Sequence, residues 1–228
     1  MAEFYTRFIR ETMDEAGQVT QWSYQYEEDF NYGYDVIDPL GDLDPHRLAM
    51  LWRSHRGEEK RLTFSDLKTL SNQAANLLRS HGLQKGDVVM TALRTHWSYW
   101  IVALAAHKLG LLLAPVYYRL TAEDFRYRME KAKVRCVVTC REEPAAENIW
   151  AAAEQAKVPL RFALGPGEDG FLDFLAALPQ QPDTLDRVPT LATDPLLLYF
   201  TSGTTGLPKG VLHDHAFPLA NYWGARYM

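Results

Sequence analysis

The chain has 228 residues, with 47% hydrophobic and 23% charged side chains, a composition typical of a folded globular protein rather than a disordered one. Its formal net charge is -5 and no run of five like charges occurs, so neither a nucleic-acid nor a membrane partner is expected. The most apolar window, residues 100–116, is interrupted by His107, Lys108 and Gly110, which excludes a transmembrane helix there.

The amino terminus shows neither a signal peptide nor a transit peptide. Acidic residues occur within its first few positions, and no apolar run is followed by small residues. A cytoplasmic location is the expectation that follows.

The first segment, residues 1–61, is rich in aromatic residues and irregular in pattern. We expect a helix over residues 2–15 and then an extended arm that lies across the surface of the domain. The aromatic residues of this arm are Trp22, Tyr24, Tyr26, Phe30, Tyr32 and Tyr34.

The second segment, residues 62–179, alternates between strand-like and helix-like patterns. Ser65 and Thr121 are suited to cap helices at their first turns, and Gly82 and Gly110 to end them. Because the elements alternate, the pattern predicts an α/β fold with a parallel-rich sheet and helices on both faces. The predicted strands cover 62–64, 87–93, 111–116, 134–139 and 160–164, and the predicted helices cover 65–82, 97–109, 121–131, 144–156 and 170–178.

The two cysteines, Cys136 and Cys140, lie in one predicted strand. Four residues of strand separate their Cα atoms by about 13 Å, roughly twice the reach of a disulfide. We therefore expect two reduced cysteines in the core rather than a disulfide or a metal site.

Residues 180–194 are predicted to be a connector, because they are rich in proline and polar residues. Residues 195–228 then begin a second subdomain: a buried strand over 195–200, a glycine-rich loop, a return strand over 210–213 and a helix from 216 onward. No Gly, Pro or polar cap ends this helix, so we expect a truncated chain and an incomplete amino-terminal domain.

The loop between these last two strands carries the groups that a polyphosphate requires. It combines hydroxyl side chains, glycines that let backbone N–H groups approach anionic oxygens, and one cation. It also follows a hydrophobic strand, as ligand sites of parallel sheets do. The predicted nucleotide-binding residues are Thr201, Ser202, Gly203, Thr204, Thr205, Gly206 and Lys209.

A Walker A loop is the first alternative, but it requires Gly-Lys-Ser/Thr leading into a helix. Here Pro208 precedes Lys209, Gly210 follows it, and a strand-like run comes next. A hydrolytic P-loop NTPase is therefore disfavoured. A simple surface turn is the second alternative, and such a turn would need neither the lysine nor the flanking hydrophobic strands.

The order of an apolar strand, Thr-Ser-Gly-Thr-Thr-Gly, one residue and Pro-Lys-Gly resembles the signature loop of the adenylate-forming superfamily. The resemblance extends over about residues 30–228 and is closest to the amino-terminal part of medium-chain acyl-CoA synthetases and their acetyl-CoA-synthetase-like relatives. The segments that carry it are 30–31, 34–36, 62–67, 72–78, 82–87, 170–174 and the loop itself.

This resemblance implies an AMP-forming acid-thiol ligase of fatty acid metabolism that uses ATP, Mg²⁺ and coenzyme A. A carboxylate, weakly favoured to have a short or medium acyl chain, would attack the α-phosphorus of ATP, and coenzyme A would then displace AMP. The loop would hold the departing β- and γ-phosphates. Lys209 and Thr204 are the residues that the resemblance assigns to catalysis.

Members of the family carry further motifs downstream of this loop: an aromatic-x-Thr-Glu segment, an acid for the ribose and a carboxy-terminal domain with the adenylation lysine. None of them can be located in this sequence. The resemblance therefore implies that the chain alone is inactive. The alternative of a different class is a non-catalytic nucleotide-binding or interaction module, possibly complementing a separate chain.

His213, Asp214 and His215 could be read as a metal site. On a strand, however, the two imidazoles share one face while Asp214 points to the other, and no further ligands cluster in the sequence. We therefore predict structural or pocket-edge histidines and no metal site.

Two aromatic groups could contact a ligand. Trp97, Tyr99 and Trp100 share a predicted helix and could touch an acyl group, although core packing is favoured. The segment 117–119, Tyr-Tyr-Arg, follows a strand end and could face a ligand, although this is the less favoured interpretation.

Overall fold

A computed structural model describes residues 4, 6–141, 145–167, 170–201 and 206–227. The strands in chain order are β1 (Ile9–Met13), β2 (Val19–Tyr24), β3 (Leu48–Arg53), β4 (Glu59–Thr63), β5 (Val88–Ala92), β6 (Leu112–Pro115), β7 (Val134–Cys140), β8 (Leu160–Leu164), β9 (Leu172–Asp173), β10 (Pro195–Thr201) and β11 (Lys209–Asp214). The α-helices are α1 (Asp38–Leu43), α2 (Phe64–Ser80), α3 (Ser98–Leu109), α4 (Ala122–Ala132), α5 (Ala145–Gln155), α6 (Phe174–Ala177) and α7 (Phe217–Tyr227).

A seven-stranded sheet organises the fold, with the strand order β11-β10-β6-β5-β7-β8-β9. Strands β5 to β10 run parallel, and β11 returns antiparallel to β10. Because parallel strands end at one edge of a sheet, the segments that follow β5, β6, β7, β8 and β10 all lie at that edge.

Helices cover both faces of this sheet, as the α/β pattern predicted. On one face α2 and α3 pack in a cluster with residues such as Leu78 and Ile101, which are 0% exposed. On the other face α4 and α5 pack through residues such as Phe125 and Ile149. All five residues of β5 are buried, since the central strand of a sheet covered on both faces has no solvent-facing side.

Most of the predicted helices are confirmed, with one shifted cap. Gly110 ends α3 in the left-handed conformation (φ 65°), and the Thr121 side chain accepts a hydrogen bond from the Asp124 N–H at the start of α4. Helix α2 is capped by Thr63 and not by Ser65, because Thr63 and Asp66 form a reciprocal capping box. The predicted helix over 170–178 is shorter: strand β9 precedes α6.

The predicted helix over residues 2–15 is wrong over residues 6–15. Ile9 to Met13 form β1, which pairs antiparallel with β2. The carboxylate of Asp14 accepts hydrogen bonds from the N–H groups of Ala16 and Gln18, and Gly17 adopts φ 76°, so a tight turn joins the two strands. Residues 1–3 and 5 lie outside the described part of the chain.

The segment that follows is not a simple extended arm. A π-helical turn over Gly33–Ile37 continues into α1, and β3 and β4 form a second antiparallel hairpin. Phe30 is 2% exposed and contacts Phe8 edge-on at a centroid distance of 5.6 Å. The aromatic residues therefore include a small core of their own rather than only a surface layer.

A buried lysine fixes this segment to the helices. The Lys108 side chain is 0% exposed, and its ammonium group contacts Asp38 Oδ1 at 2.7 Å, Ser71 Oγ at 2.9 Å and Asn72 Oδ1 at 2.7 Å. A Cβ on Gly33 would come within 2.8 Å of Lys108 Cγ, so the absence of a side chain lets the turn approach. Burial lowers the pKa of Lys108 and raises that of Asp38, and the ion pair between them opposes both shifts.

Cys136 and Cys140 are buried and free, which confirms the expectation of reduced core cysteines. Burial raises the pKa of the Cys136 thiol. Within the described ranges, no helix combines the length and the apolar character that a membrane span requires. The division at residues 180–194 stays a prediction, and β6 and β10, from either side of it, pair in one sheet.

Candidate functional site

The predicted phosphate loop connects β10 to β11. Thr201 and Lys209 are paired across the base of this loop, and the Thr201 hydroxyl donates a hydrogen bond to the Lys209 carbonyl oxygen at 3.4 Å. Both residues are exposed. Since β10 runs parallel to its neighbour β6, the loop begins at the carboxyl edge of the sheet, where ligands of such sheets gather.

Four of the predicted loop residues, Ser202, Gly203, Thr204 and Thr205, lie outside the described residues. The described ones that remain are Thr201, Gly206 and Lys209. The roles of all seven in binding ATP, and of Lys209 and Thr204 in catalysis, stay predictions.

Gly206 and Gly210, which lie before and after Lys209 in the chain, require the absence of a side chain for different reasons. Gly206 has φ 142°, a conformation that L side chains rarely adopt. Gly210 faces β10, where an added Cβ would come within 2.8 Å of Leu198 Cδ1, so its lack of a side chain allows the two strands to pair closely. The backbone on either side of Lys209 is therefore constrained by close packing and by conformation.

The segment His213 to His215 does not form a metal centre in the structure. His213 is half-buried and packs against Phe217 with ring centroids 3.9 Å apart, whereas His215 is 0% exposed. Among the described residues no group of three or more His, Cys, Asp or Glu side chains is arranged to hold a metal ion.

His215 instead lies beside a second imidazole, that of the half-buried His107 on α3, with ring centroids 6.3 Å apart. Within the described part of the chain, neither ring nitrogen of His215 makes a hydrogen bond. His107 Nδ1 makes none to any described residue either. Burial, followed by the repulsion from His215, lowers the pKa of His107 to about 3. Burial also lowers the pKa of His215 to about 4, against a smaller opposing effect of Asp194. Both rings are therefore neutral at pH 7.

An apolar cleft of about 610 Å³ lies between α3, the strand β10 and α7. Tyr99 and Trp100 of the predicted aromatic helix line it together with Tyr199, and Trp97 packs on the core instead. Burial raises the pKa of Tyr99 to about 12. Trp97 therefore agrees with the core-packing interpretation. Trp100, which is 55% exposed at the edge of the cleft, is the residue placed where a ligand contact could occur.

Tyr117, Tyr118 and Arg119 follow β6 and so lie at the carboxyl edge beside β10. Tyr117 is 61% exposed, and the Arg119 guanidinium carbon lies 5.3 Å from the Tyr118 ring centroid. Their location agrees with the possibility of a ligand-facing group, and a ligand contact stays a prediction.

A second cavity, of about 810 Å³, opens at the carboxyl ends of β5, β7 and β8 beneath the β3–β4 hairpin. Trp52 of the hairpin donates a hydrogen bond to the Thr95 carbonyl oxygen at 2.9 Å, and Arg141 donates to the carbonyl oxygen of Pro166. Sequence reasoning did not predict this cavity, although Arg94 and Arg141 each follow a predicted strand, which is the signal that could have indicated it.

Comparisons with known proteins match most of the chain. The sequence profile of the AMP-binding enzyme family matches residues 42–228. The mitochondrial acyl-coenzyme A synthetase ACSM4 of Rattus norvegicus is 31% identical over 213 residues, which is 90% of this chain and 36% of that protein. The 4-hydroxybutyrate–CoA ligase 1 of Metallosphaera sedula is 32% identical over 186 residues, 81% of this chain and 32% of the relative. The chain thus spans about a third of the length of these curated relatives.

Solved structures show the same fold. The crystal structure of an acyl-CoA synthetase from Brucella canis superposes with a TM-score of 0.73 and 25% sequence identity, covering 86% of this chain and 35% of the other. The anthranilate CoA ligase AuaEII, in complex with anthranoyl-AMP, superposes with a TM-score of 0.71 at 23% identity, covering 87% and 38%, and shows the fold alone.

Proposed function

We propose that this chain, which belongs to the AMP-binding enzyme family, holds the polyphosphate of ATP on the loop from Thr201 to Lys209 and serves an AMP-forming acyl-CoA synthetase reaction. In that reaction a carboxylate oxygen bonds to the α-phosphorus of ATP and pyrophosphate leaves. The sulfur of coenzyme A then bonds to the acyl carbon, and AMP leaves. The acid-thiol ligase relatives support this assignment.

The position of the loop is the observation that carries the proposal. Thr201 and Lys209 are paired across its base, at the carboxyl edge of a parallel sheet, and both residues are exposed to solvent. Lys209 would neutralise the charge that develops on the departing pyrophosphate, because a cation next to a leaving polyanion stabilises it. Thr201, Gly206 and the predicted residues Ser202, Gly203, Thr204 and Thr205 would supply hydroxyl and backbone N–H donors.

Mg²⁺ fits this chemistry, since it would supply positive charge that offsets the negative charge of the polyphosphate. Mg²⁺ in nucleotide sites usually binds substrate phosphates with only one or two protein carboxylates. Within the ranges that the structure describes, no group of three or more His, Cys, Asp or Glu side chains is arranged to hold a metal ion. The carboxylate substrate is proposed to have a short or medium acyl chain. The remaining parts of the site, including the adenylation lysine, would come from sequence beyond these residues or from a complementing chain, and this chain alone would be inactive. A cytoplasmic location stays a prediction beside relatives whose names say mitochondrial.

The first test measures binding and chemistry separately. Mg-ATP at millimolar concentration should raise the unfolding temperature of the chain, because a ligand that binds only the folded state stabilises it. Lys209→Ala should abolish most of this shift, whereas Lys133→Ala, a change of another lysine away from the loop, should leave it unchanged. ATP–pyrophosphate exchange should stay at background in every variant.

Two outcomes would count against parts of the proposal. An unfolding temperature that Mg-ATP does not change would remove the support for nucleotide binding by this chain. Robust carboxylate-dependent exchange would contradict the proposed inactivity of the chain alone. A non-catalytic nucleotide-binding module would also bind Mg-ATP without exchange. To separate it from a synthetase fragment, the remaining part of a relative would be added as a second chain, and thioester formation would support the synthetase.

A further inference from the structure

Helix α4 packs under the strand that leads into the phosphate loop. Its residues Phe125 and Met129 are 0% and 1% exposed and belong to the same apolar cluster as Leu198 of β10. Phe200, the penultimate residue of β10, packs against this cluster. The helix is therefore fixed to the sheet at the end of β10 where the loop begins.

Tyr127 of this helix reaches the far end of the loop. Its hydroxyl lies 3.4 Å from the carbonyl oxygen of Pro208, with the hydroxyl as donor. This distance is long for an O–H···O hydrogen bond, so the contact is of modest strength. Pro208 directly precedes Lys209, so the contact acts on the peptide group that carries the lysine.

Arg128, the next residue of the helix, reaches the near end. Its guanidinium carbon lies 5.7 Å from the ring centroid of Phe200, within the range of a cation–π interaction. Phe200 directly precedes Thr201, the first residue of the predicted site. Consecutive residues of one helix thus contact both ends of the loop, because those ends lie on neighbouring paired strands about 4.8 Å apart.

The Arg128 side chain is held in this position from the other side. It is 9% exposed, and it donates to the Asp124 carbonyl oxygen at 2.8 Å and to the Asp124 carboxylate at 3.1 Å. The Thr121 hydroxyl donates to the same carboxylate at 2.8 Å. These contacts, with Thr121 first and Arg128 second, lower the pKa of Asp124 against the effect of its partial burial. The guanidinium is therefore oriented before any ligand arrives.

We propose that Tyr127 and Arg128 are positioning residues that fix the two ends of the phosphate loop and so hold Lys209 in place for the polyphosphate. This inference rests on the proposed function of the loop. Its physical basis is pre-organisation: a loop whose ends are already ordered loses less conformational entropy when it closes around a ligand. Neither residue is expected to contact the nucleotide.

The test compares two substitutions with matched controls. Tyr127→Phe removes only the hydroxyl, and Arg128→Met removes the charge but keeps most of the apolar stem. Tyr26→Phe is the control for the loss of a hydroxyl. Arg126→Met is the control for the loss of a guanidinium, since Arg126 makes an exposed ion pair with Glu130 on the same helix. For each protein, three quantities are measured: the Kd of Mg-ATP, the hydrogen exchange of residues 199–211 without nucleotide, and the unfolding midpoint.

Tyr127→Phe should raise the Kd of Mg-ATP by about 2- to 10-fold, the change expected from one hydrogen bond, and should speed exchange in residues 199–211. Its unfolding midpoint should equal that of Tyr26→Phe. Arg128→Met should act in the same direction, and Arg128→Lys should restore most of the affinity because a cation over the Phe200 ring is kept. A residue with a merely structural role would shift the unfolding midpoint without a local change in exchange.

The outcomes separate this inference from the proposed function. If the unsubstituted chain binds Mg-ATP and Tyr127→Phe binds it equally well, with unchanged exchange, the positioning role is overturned. If the unsubstituted chain does not bind Mg-ATP, the proposed function fails for this chain, and the exchange measurement then decides only whether the two residues fix the ends of the loop. Exchange that rises only in the two substituted proteins supports it, and exchange equal to that of the controls overturns it.

Discussion

Two consecutive residues of helix α3, His107 and Lys108, differ in whether their buried polar atoms have hydrogen-bond partners. Lys108 is fully buried and keeps an ammonium group surrounded by Asp38, Ser71 and Asn72. His107 has a buried Nδ1 that makes no hydrogen bond to any described residue, and it lies beside the equally unpartnered His215. Burial lowers the pKa of both neighbours, but only Lys108 has a carboxylate that opposes the shift. The comparison shows that this interior tolerates a charge where partners surround it and otherwise keeps a titratable group neutral.

The largest effect is expected from breaking the partnered side. Lys108→Met should lower the free energy of unfolding by about 3–5 kcal/mol, because it leaves the half-buried Asp38 carboxylate without its partner. Urea denaturation at pH 7 would measure this change.

Lys68→Met is the matched control for this substitution. Lys68 also pairs with an aspartate, Asp42, at 2.6 Å, but the two side chains are 33% and 65% exposed. An exposed pair of this kind contributes about 0–1 kcal/mol. Equal losses in the two variants would show that burial does not distinguish the two ion pairs.

The next effect concerns the unpartnered side and depends on pH. The ordinary pKa of histidine is 6.5, and the pKa of buried His215 is lowered to about 4. As the pH falls below 6.5, His215 becomes protonated in the unfolded chain but stays neutral in the folded chain. The stability present above pH 6.5 is therefore progressively lost. Between pH 7.5 and pH 5 the loss should be about 2 kcal/mol for each of the two imidazoles. It should level off once the folded protein is protonated as well, near pH 4 for His215.

Charged groups surround the His107–His215 pair, so the test of this pH dependence changes a histidine and leaves those charges in place. Lys85 and Asp194 form an ion pair of 2.6 Å close to His215, and Asp214 precedes it in the chain. His215→Phe keeps a ring of similar shape and removes one of the two titrations. Its acid-induced loss should therefore be about 2 kcal/mol smaller than that of the unsubstituted protein. His46→Phe, which changes an exposed histidine, should leave the loss unchanged; equal pH profiles for His215→Phe and the parent chain would refute the role of the pair.

A smaller effect is expected at Asn31, the residue that joins the two sides. Its side-chain amide donates to the His107 carbonyl oxygen at 2.7 Å and to Thr190 Oγ at 3.1 Å, and it accepts a hydrogen bond from the Gly33 N–H. Asn31→Ala should cost about 1–2 kcal/mol, since it leaves a buried N–H without its acceptor. Asn148→Ala, which removes a single half-buried hydrogen bond of 3.2 Å, should cost less by equilibrium unfolding. A larger loss for Asn148→Ala than for Asn31→Ala would contradict the expected contribution of the Asn31 hydrogen bonds to stability.

The parts of the fold that the sequence predicted are those with strong local signals. The segment from Thr63 to Leu164 combines regular hydrophobic periods with Gly and Thr at helix ends, and its alternation of strands and helices was confirmed. The amino-terminal helix was wrong because residues 8–13 carry only a short hydrophobic pattern, whereas Asp14 and Gly17 form a tight turn between two strands. The hairpin gains its stability from Phe8 and Ile9, which pack on residues distant in the chain.

The candidate site divides in a similar way. The phosphate loop could be predicted, because its glycines, hydroxyls and lysine are consecutive in sequence. The contacts of Tyr127 and Arg128 with Pro208 and Phe200 could not, since they join residues more than 70 positions apart on a helix with no distinguishing pattern. The same holds for the His107–His215 pair.

By itself, then, the sequence determined the α/β class, the family resemblance and the loop, since each rests on residues that are neighbours in the chain. Only the tertiary structure decided which buried polar groups have partners. Lys108 and His107 are adjacent in sequence, and what makes one a charged anchor and the other a neutral ring is the set of groups that folding brings to each of them.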